Sequence, residues 1–242
     1  MLIKGNSDIG KVRTANEDGF DFGTFDDGTA WAIVCDGMGG ARGGNIASSM
    51  VIEMISDKIR KCYNKLMPVY SFENIFLSTI TTANVIVNDR SYTDDELRGM
   101  GTTIVATIVK DDQVCIAHVG DSRIYKINSE SITQLTKDHS LAQEMLDSGQ
   151  ITQEEFANYP KKNIITRALG IDEKIDIDFD FAEIEEGDTL LLCTDGLTGL
   201  LSDEEILEIF NKTDFELLCD EYIKAANDKG GFDNVTVVVM KG

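Results

Sequence analysis

Proline and histidine each occur only twice, as Pro68, Pro160, His118 and His139. Such scarcity of proline is unlike a disordered linker, and two histidines without any C-x-x-C spacing leave few of the nitrogen and sulfur donors that zinc or copper takes. The five cysteines, Cys35, Cys62, Cys115, Cys193 and Cys219, are odd in number and fall inside apolar segments, which suits reduced, buried thiols rather than a disulfide framework. Basic residues are scarce as well: 22 Lys and Arg stand against 43 Asp and Glu, a net charge of −21, and a field of that sign repels nucleic acid and anionic lipid. No apolar run approaches the roughly 20 residues of a membrane span. The opening Met1-Leu2-Ile3-Lys4-Gly5-Asn6 turns polar before a secretory apolar region can form. The expectation is a cytoplasmic, monomeric globular protein with neither nucleic-acid nor membrane partners.

A chain of 242 residues suits one large domain or two small ones. No repeat, linker or low-complexity stretch divides it, so a single domain over residues 1–242 is expected, large enough to need no metal or disulfide merely to supply a core. Short β-rich runs occur at 30–35, 102–109, 113–119, 122–127, 189–193 and 234–240. Between the first two, Ile46, Met50, Met54, Ile55, Ile59 and Cys62 recur at helical spacing, and Ile75, Ile80, Val85 and Ile86 do so less cleanly. A second helix pair is expected at 203–210 and 214–228. Runs of strands interrupted by helix pairs favour an α+β fold with largely antiparallel sheets over a doubly wound parallel sheet. The stretch from Asp172 to Asp188, nine acids against one lysine, lacks metal-loop spacing and fits a solvated face on a strand and turn.

Asp-Gly pairs at 18–19, 27–28, 36–37 and 195–196 are each simplest as turns. Two of them follow apolar runs, Trp31 to Cys35 and Leu190 to Cys193, so Asp36 and Asp195 are delivered at the ends of buried strands. Glycines at 37, 39, 40, 43 and 44 come next, but the third position of a G-x-G-x-x-G cradle is Arg42, no G-K-[ST] follows, and Asp36 would oppose a pyrophosphate. Taken singly, the other polar landmarks have plain explanations: Arg13 a surface cation, Glu17 and Asp18 a polar loop, Gly120 to Ser122 a hairpin turn, Asp233-Asn234 a loop, His118 a satisfied strand histidine. As a set, carboxylates and carbonyls suit hard cations such as Mg²⁺ or Mn²⁺, and a divalent ion relieves the repulsion of acids crowded in one cleft.

The order of motifs tells more than any one of them. Arg-Thr-Ala-Asn-Glu-Asp (13–18), Asp-Gly-Met-Gly-Gly (36–40), Gly-Thr-Thr (101–103), Val-Gly-Asp-Ser-Arg (119–123), Leu-Thr-Lys-Asp-His-Ser (135–140), Thr-Arg-Ala-Leu-Gly (166–170), Thr-Asp-Gly-Leu (194–197) and Asp-Asn-Val-Thr (233–236) span nearly the whole chain. The series resembles the metal-dependent protein serine/threonine phosphatases, the PPM or protein phosphatase 2C family, and within it the compact bacterial members. That resemblance implies a four-layer α-β-β-α sandwich with two central, mainly antiparallel sheets, helix pairs outside them, and a metal cluster at one edge. Carried over position by position, it implies that Asp36 bridges two ions, that Asp195 and Asp233 bind the first, and that Glu17 and the carbonyl of Gly37 bind the second. Asp121 with Asp195 would take a third, weaker ion. Arg13 would bind the substrate phosphate, and Asp18 and Asn234 would support the cluster, often through metal-bound water.

The resemblance further implies hydrolysis of phosphoserine and phosphothreonine in proteins by a water activated between Mn²⁺ or Mg²⁺ ions, opposing a serine/threonine protein kinase that shares the substrates. No cysteine has an arginine six residues on, so the cysteinyl-phosphate route lacks its signature. Met38 stands where many eukaryotic members have a histidine proposed as general acid, and a thioether transfers no proton. Residues 146–165 match the variable flap beside the active site. Two other readings are a phosphatase dedicated to one regulator of the anti-sigma-factor-antagonist type, and a non-catalytic phosphoprotein-binding module on the same fold. Regulators of the first kind commonly carry sensor domains, for which this chain has no room. The second would require loss of a core ligand, whereas Glu17, Asp36, Asp195 and Asp233 are all present.

Overall fold

A computed structural model of the chain describes residues 1–157, 159 and 164–242. The first half runs β1 (Leu2–Asp8), β2 (Gly19–Thr24), β3 (Ala30–Cys35), β4 (Gly37–Met38), α1 (Gly40–Cys62), α2 (Ser71–Thr93), β5 (Gly101–Thr102), β6 (Ile104–Lys110) and β7 (Gln113–Val119). The second half runs β8 (Arg123–Ile127), β9 (Ile132–Gln134), α3 (Leu141–Asp147), α4 (Gln153–Ala157), β10 (Asp178–Glu183), β11 (Thr189–Cys193), α5 (Asp195–Thr198), α6 (Asp203–Lys212), α7 (Leu218–Asp228) and β12 (Val235–Lys241). Two five-stranded sheets form, in the orders β1-β12-β11-β8-β9 and β10-β7-β6-β3-β2, and β4 pairs with β5 alongside. Every one of these pairings is antiparallel.

Strand periodicity explains why the layers number four. All six residues of β3 are buried, because its two faces meet different apolar layers. Trp31, Ile33 and Cys35 face α1 and α2, joining Val51, Ile55, Phe72 and Phe76 in one core. Ala30, Ala32 and Val34 face the opposite sheet, where Leu190, Leu192, Val238 and Met240 meet them in a second core. From that sheet Leu191, Cys193, Val235, Val237 and Val239 turn outward to a third core with Ile206, Tyr222 and Ala226 of α6 and α7. Three apolar layers separate helices, sheet, sheet and helices, the α-β-β-α arrangement that the resemblance implies. Helix α6 begins with a reciprocal cap between Ser202 and Glu205, a spacing visible in the sequence. Among the described residues no helix is long and apolar enough to cross a membrane.

Three expectations need correction. The run 102–109 is not one strand: β5 pairs with β4, β6 pairs with β3, and Thr103 between them is engaged by the backbone of Asp36. Val85 and Ile86 do not belong to the buried face of α2, being 54% and 41% exposed; the 3.6-residue period set by Phe72, Phe76 and Ile80 continues through Ala83 and Val87 instead. Gly120 to Ser122 is not a hairpin turn, since β7 and β8 lie in different sheets and the segment crosses from one to the other. Of the expected flap at 146–165, residues 158 and 160–163 lie outside the described residues, and α4 falls within the remainder.

Candidate active site

Strand ends at one edge of both sheets supply the polar residues. Asp36 follows β3, Asp121 follows β7, Asp195 follows β11 at the start of α5, Asp233 and Asn234 precede β12, and Glu17 and Asp18 precede β2. A cleft of about 470 Å³ is lined by Arg13, Glu17, Asp36, Gly37, Met38, Asp121, Asp195, Asp233 and Asn234, together with Gly39, Thr103 and Ile165. Nearly every residue assigned by motif thus borders one space. Asp18 lies behind this lining, within reach of its charges.

Backbone ties hold the lining. The Asp36 N–H donates to Thr103 Oγ1 at 3.0 Å, while the Asp36 carbonyl accepts from Thr103 N at 2.8 Å and from Thr102 Oγ1 at 2.9 Å. The Gly-Thr-Thr motif therefore clamps the peptide that carries Asp36. Gly37 permits close passage of α1: a Cβ there would stand 2.2 Å from the Gly44 carbonyl and 2.5 Å from that of Glu17. Asn234 accepts from Glu17 N at 2.9 Å and donates to the carbonyls of Ile9 and Ala15, each at 3.0 Å. Its amide thus holds the loop that carries Arg13 and Glu17. Asp18 Oδ2 accepts from Thr194 Oγ1 at 2.9 Å and Thr236 Oγ1 at 2.8 Å, joining the ends of β11 and β12 to that loop. Thr103, Thr194 and Thr236 stand inside the quoted motifs, but no local pattern marks their role.

Burial and mutual repulsion shape the charges. Burial raises the Asp36 carboxyl well above the usual range, with Asp18, Asp195, Asp121 and Asp233 adding to the effect. Burial also carries Asp121 to about 8, helped by Asp195 and Asp138, and Asp195 to about 6, helped by Asp233. Asp18 reaches about 7 through burial, even though its two threonine hydroxyls pull the other way. Arg13 donates from Nη2 to Asp233 Oδ2 at 2.7 Å, and this bond raises its own pKa. One guanidinium opposite five acids leaves the group short of positive charge.

A divalent cation fits this deficit. The donors are carboxylates and backbone carbonyls, the set that hard ions take, and burial of several like charges is favourable only when they are compensated. Among the described residues, no three acid, histidine or cysteine side chains already converge as a ligand set, so the fit rests on donor chemistry and charge.

The same shifts predict a pH dependence of folding. Between about pH 4 and pH 8 the folded, metal-free chain holds more protons than the unfolded one, because Asp195, Asp18 and Asp121 titrate at about 6, 7 and 8 against about 3.9 when unfolded. Stability of the metal-free protein accordingly falls as pH rises through that window. Calorimetry in chelator should give a lower Tm at pH 8 than at pH 5; a Tm that climbs across the interval would contradict the clustering of these acids.

Comparison with known proteins agrees with this geometry. The sequence model of the family protein phosphatase 2C matches residues 7–236. The serine/threonine phosphatase stp of Listeria monocytogenes serotype 4b is 39% identical, covering 100% of this chain and 96% of its own. Protein phosphatase PhpP of Streptococcus pneumoniae serotype 2 is 38% identical over 99% of this chain and 97% of its own. Among solved structures, the S. agalactiae serine/threonine phosphatase superposes with a TM-score of 0.92 at 35% identity, covering 100% of this chain and 99% of that one. The catalytic domain of the serine/threonine protein phosphatase PstP, in complex with two manganese ions, superposes with a TM-score of 0.84 at 32% identity over 98% and 96% of the two chains. With the fold, the cleft and these relatives in agreement over the full length, the chain belongs to the protein phosphatase 2C family and is a protein serine/threonine phosphatase.

Proposed function

We propose that residues 1–242 act as one catalytic unit that hydrolyses phosphoserine and phosphothreonine in proteins with Mn²⁺ or Mg²⁺, and that it opposes a serine/threonine protein kinase acting on the same substrates. The observation that carries this reading is the single cleft bordered by Arg13, Glu17, Asp36, Asp121, Asp195 and Asp233. Asp36 would be the ligand shared by two ions, Asp195 and Asp233 would complete one site, and Glu17 with the Gly37 carbonyl would complete the other. Asp121 and Asp195 offer a third, weaker site. Ions held there would lower the pKa of water and offset charge on the phosphoryl oxygens.

The chain's own groups do the rest. Arg13 uses one of five N–H donors on Asp233, and the remaining fork suits a phosphate. Burial pushes the thiols of Cys115, Cys193 and Cys219 up to about 12 and that of Cys35 higher still, which disfavours a thiolate nucleophile and leaves water in that role. Neither histidine borders the cleft and the Met38 thioether carries no proton, so none of these three side chains serves as general acid for the departing serine or threonine oxygen.

Purified protein with Mn²⁺ should release phosphate from phosphothreonine and phosphoserine peptides; no release from either would overturn the reading. Arg13→Ala should weaken phosphopeptide binding by about 1.5–3 kcal/mol, the worth of a charged hydrogen bond, while leaving Mn²⁺ titration intact because Asp233 keeps its carboxylate. Lys should recover part of the loss, lacking the planar fork. Unchanged peptide kinetics in Arg13→Ala would return that residue to a surface cation. The kinase relation is tested by phosphoproteomics after deletion of the gene: many sites rising together support it, and one regulator rising alone supports the dedicated-phosphatase reading.

A further inference from the structure

The Asp-His-Ser motif at 138–140 lies outside the cleft, yet its histidine makes two hydrogen bonds to a single residue beside a proposed ligand. His139 N donates to the Gly120 carbonyl at 2.7 Å, and Gly120 N donates to His139 Nδ1 at 3.0 Å. Gly120 immediately precedes Asp121 and sits at φ 114°, where the chain leaves β7 to cross between sheets. On its other side a Cβ would stand 2.5 Å from Thr103 Cγ2, so Gly120 is wedged between His139 and the threonine that clamps Asp36.

The tautomer of the imidazole follows from these bonds. Because Nδ1 accepts, the neutral ring carries its proton on Nε2. Nε2 faces Asp178 Oδ2 at 3.2 Å; Arg167 Nη1, 3.3 Å from the same nitrogen, is itself a donor and bonds Asp178 Oδ1 at 2.9 Å. Asp178 on β10 therefore accepts from both. The ring is 6% exposed and stacks on His118 with centroids 4.6 Å apart. Burial lowers the pKa of both rings, His118 to about 3, which keeps the pair neutral.

We propose that His139 is a positioning residue, holding the Gly120 peptide and through it the Asp121 carboxylate in place for the third cation, with Asp178 fixing the imidazole tautomer. The proposal rests on the reading of Asp121 as a ligand of that ion.

Three substitutions separate the two side-chain bonds, Nδ1 with Gly120 N and Nε2 with Asp178, and all three keep the backbone bond from His139 N to the Gly120 carbonyl. His139→Asn places an acceptor where Nδ1 stands, His139→Gln reaches toward Asp178 but leaves Gly120 N–H unpaired, and His139→Ala removes both. Asn should keep kcat and the weak Mn²⁺ site near normal. Gln and Ala should lower kcat about 10- to 100-fold, the range for partners that orient a ligand, with KM little changed, the two tight Mn²⁺ ions retained and the third weakened. In the metal-free protein, ¹⁵N NMR should show His139 protonated on Nε2. Placed on Asp121→Ala, His139→Gln should cost nothing further, because both act on one carboxylate.

Multiplicative losses in the double variant, an Asn variant as slow as Gln, or an Nδ1-protonated ring would each overturn the proposal. If Asp121→Ala alone leaves kcat and the weak site unchanged, the ligand reading itself fails and the proposal falls with it. Should His139→Ala fail to fold, the Asn and Gln pair and the tautomer still decide.

Discussion

Replacing Asp36 with Asn is expected to lower phosphopeptide turnover more than about 100-fold and to weaken both tight ions together. Loss of a residue that merely orients a metal ligand costs about 10- to 100-fold, and Asp36 is proposed to be a ligand itself, shared between two ions. The substitution is nearly isosteric, and the peptide stays clamped by Thr102 and Thr103, so the change is confined to charge and donor type. It also predicts an opposite effect without metal. Asp36 is half-buried, and its lost hydration together with the charges of Asp18, Asp195, Asp121 and Asp233 raises its carboxyl well above the usual range, so a neutral amide relieves repulsion there. At pH 8 in chelator, Asp36→Asn should melt no lower than the parent and should gain less from added Mn²⁺. Calorimetric Mn²⁺ titration beside kinetics checks both parts; near-normal affinity and rate would remove Asp36 from its place.

The contrast between strands that the sequence reveals and those it hides has a simple cause. β3, β6, β7, β8, β11 and β12 occupy interior positions of the two sheets, and their apolar runs stand out. β1, β2, β9 and β10 are the four sheet edges. Their burial is partial, as in Gly19–Thr24 and Asp178–Glu183, and polar residues interrupt any apolar run. The acidic stretch ending at Asp188 was legible as strand and turn because it contains such an edge, although its bounds were not. Boundaries set by distant partners were likewise invisible: Thr103 breaks a β-rich run because Asp36, 67 residues earlier, bonds its hydroxyl.

The residues that line the cleft stand out one by one in the motifs, from Arg13 to Asn234. What joins them does not. Asp18 meets Thr194 and Thr236 across 176 and 218 residues, and Arg13 meets Asp233 across 220, contacts that no local pattern encodes. Asp121 offers the clearest case. Its neighbours Gly120 and Ser122 suggest a hairpin, and only the assignment of β7 and β8 to separate sheets turns that segment into a crossing that buries the carboxylate.

Removal of metal should have the largest effect of all. Oxygen-donor sites exchange their ions readily compared with thiolate sites, and no cysteine borders the cleft, so EDTA is expected to strip the protein without unfolding it. Turnover of a phosphothreonine peptide should then fall to the uncatalysed level, while substrate capture by Arg13 alone restores nothing, since binding without an activated nucleophile does not speed the chemical step. Titrating Mn²⁺ back should restore turnover as the two tight sites fill and full activity only as the weaker third site fills. The measurement that tests the account most directly is therefore phosphate release from that peptide by the chelated protein as Mn²⁺ is added, followed beside calorimetric binding. The account predicts no activity before addition, onset as the second ion binds and the main rise as the weaker third site fills; undiminished turnover after exhaustive chelation would contradict it.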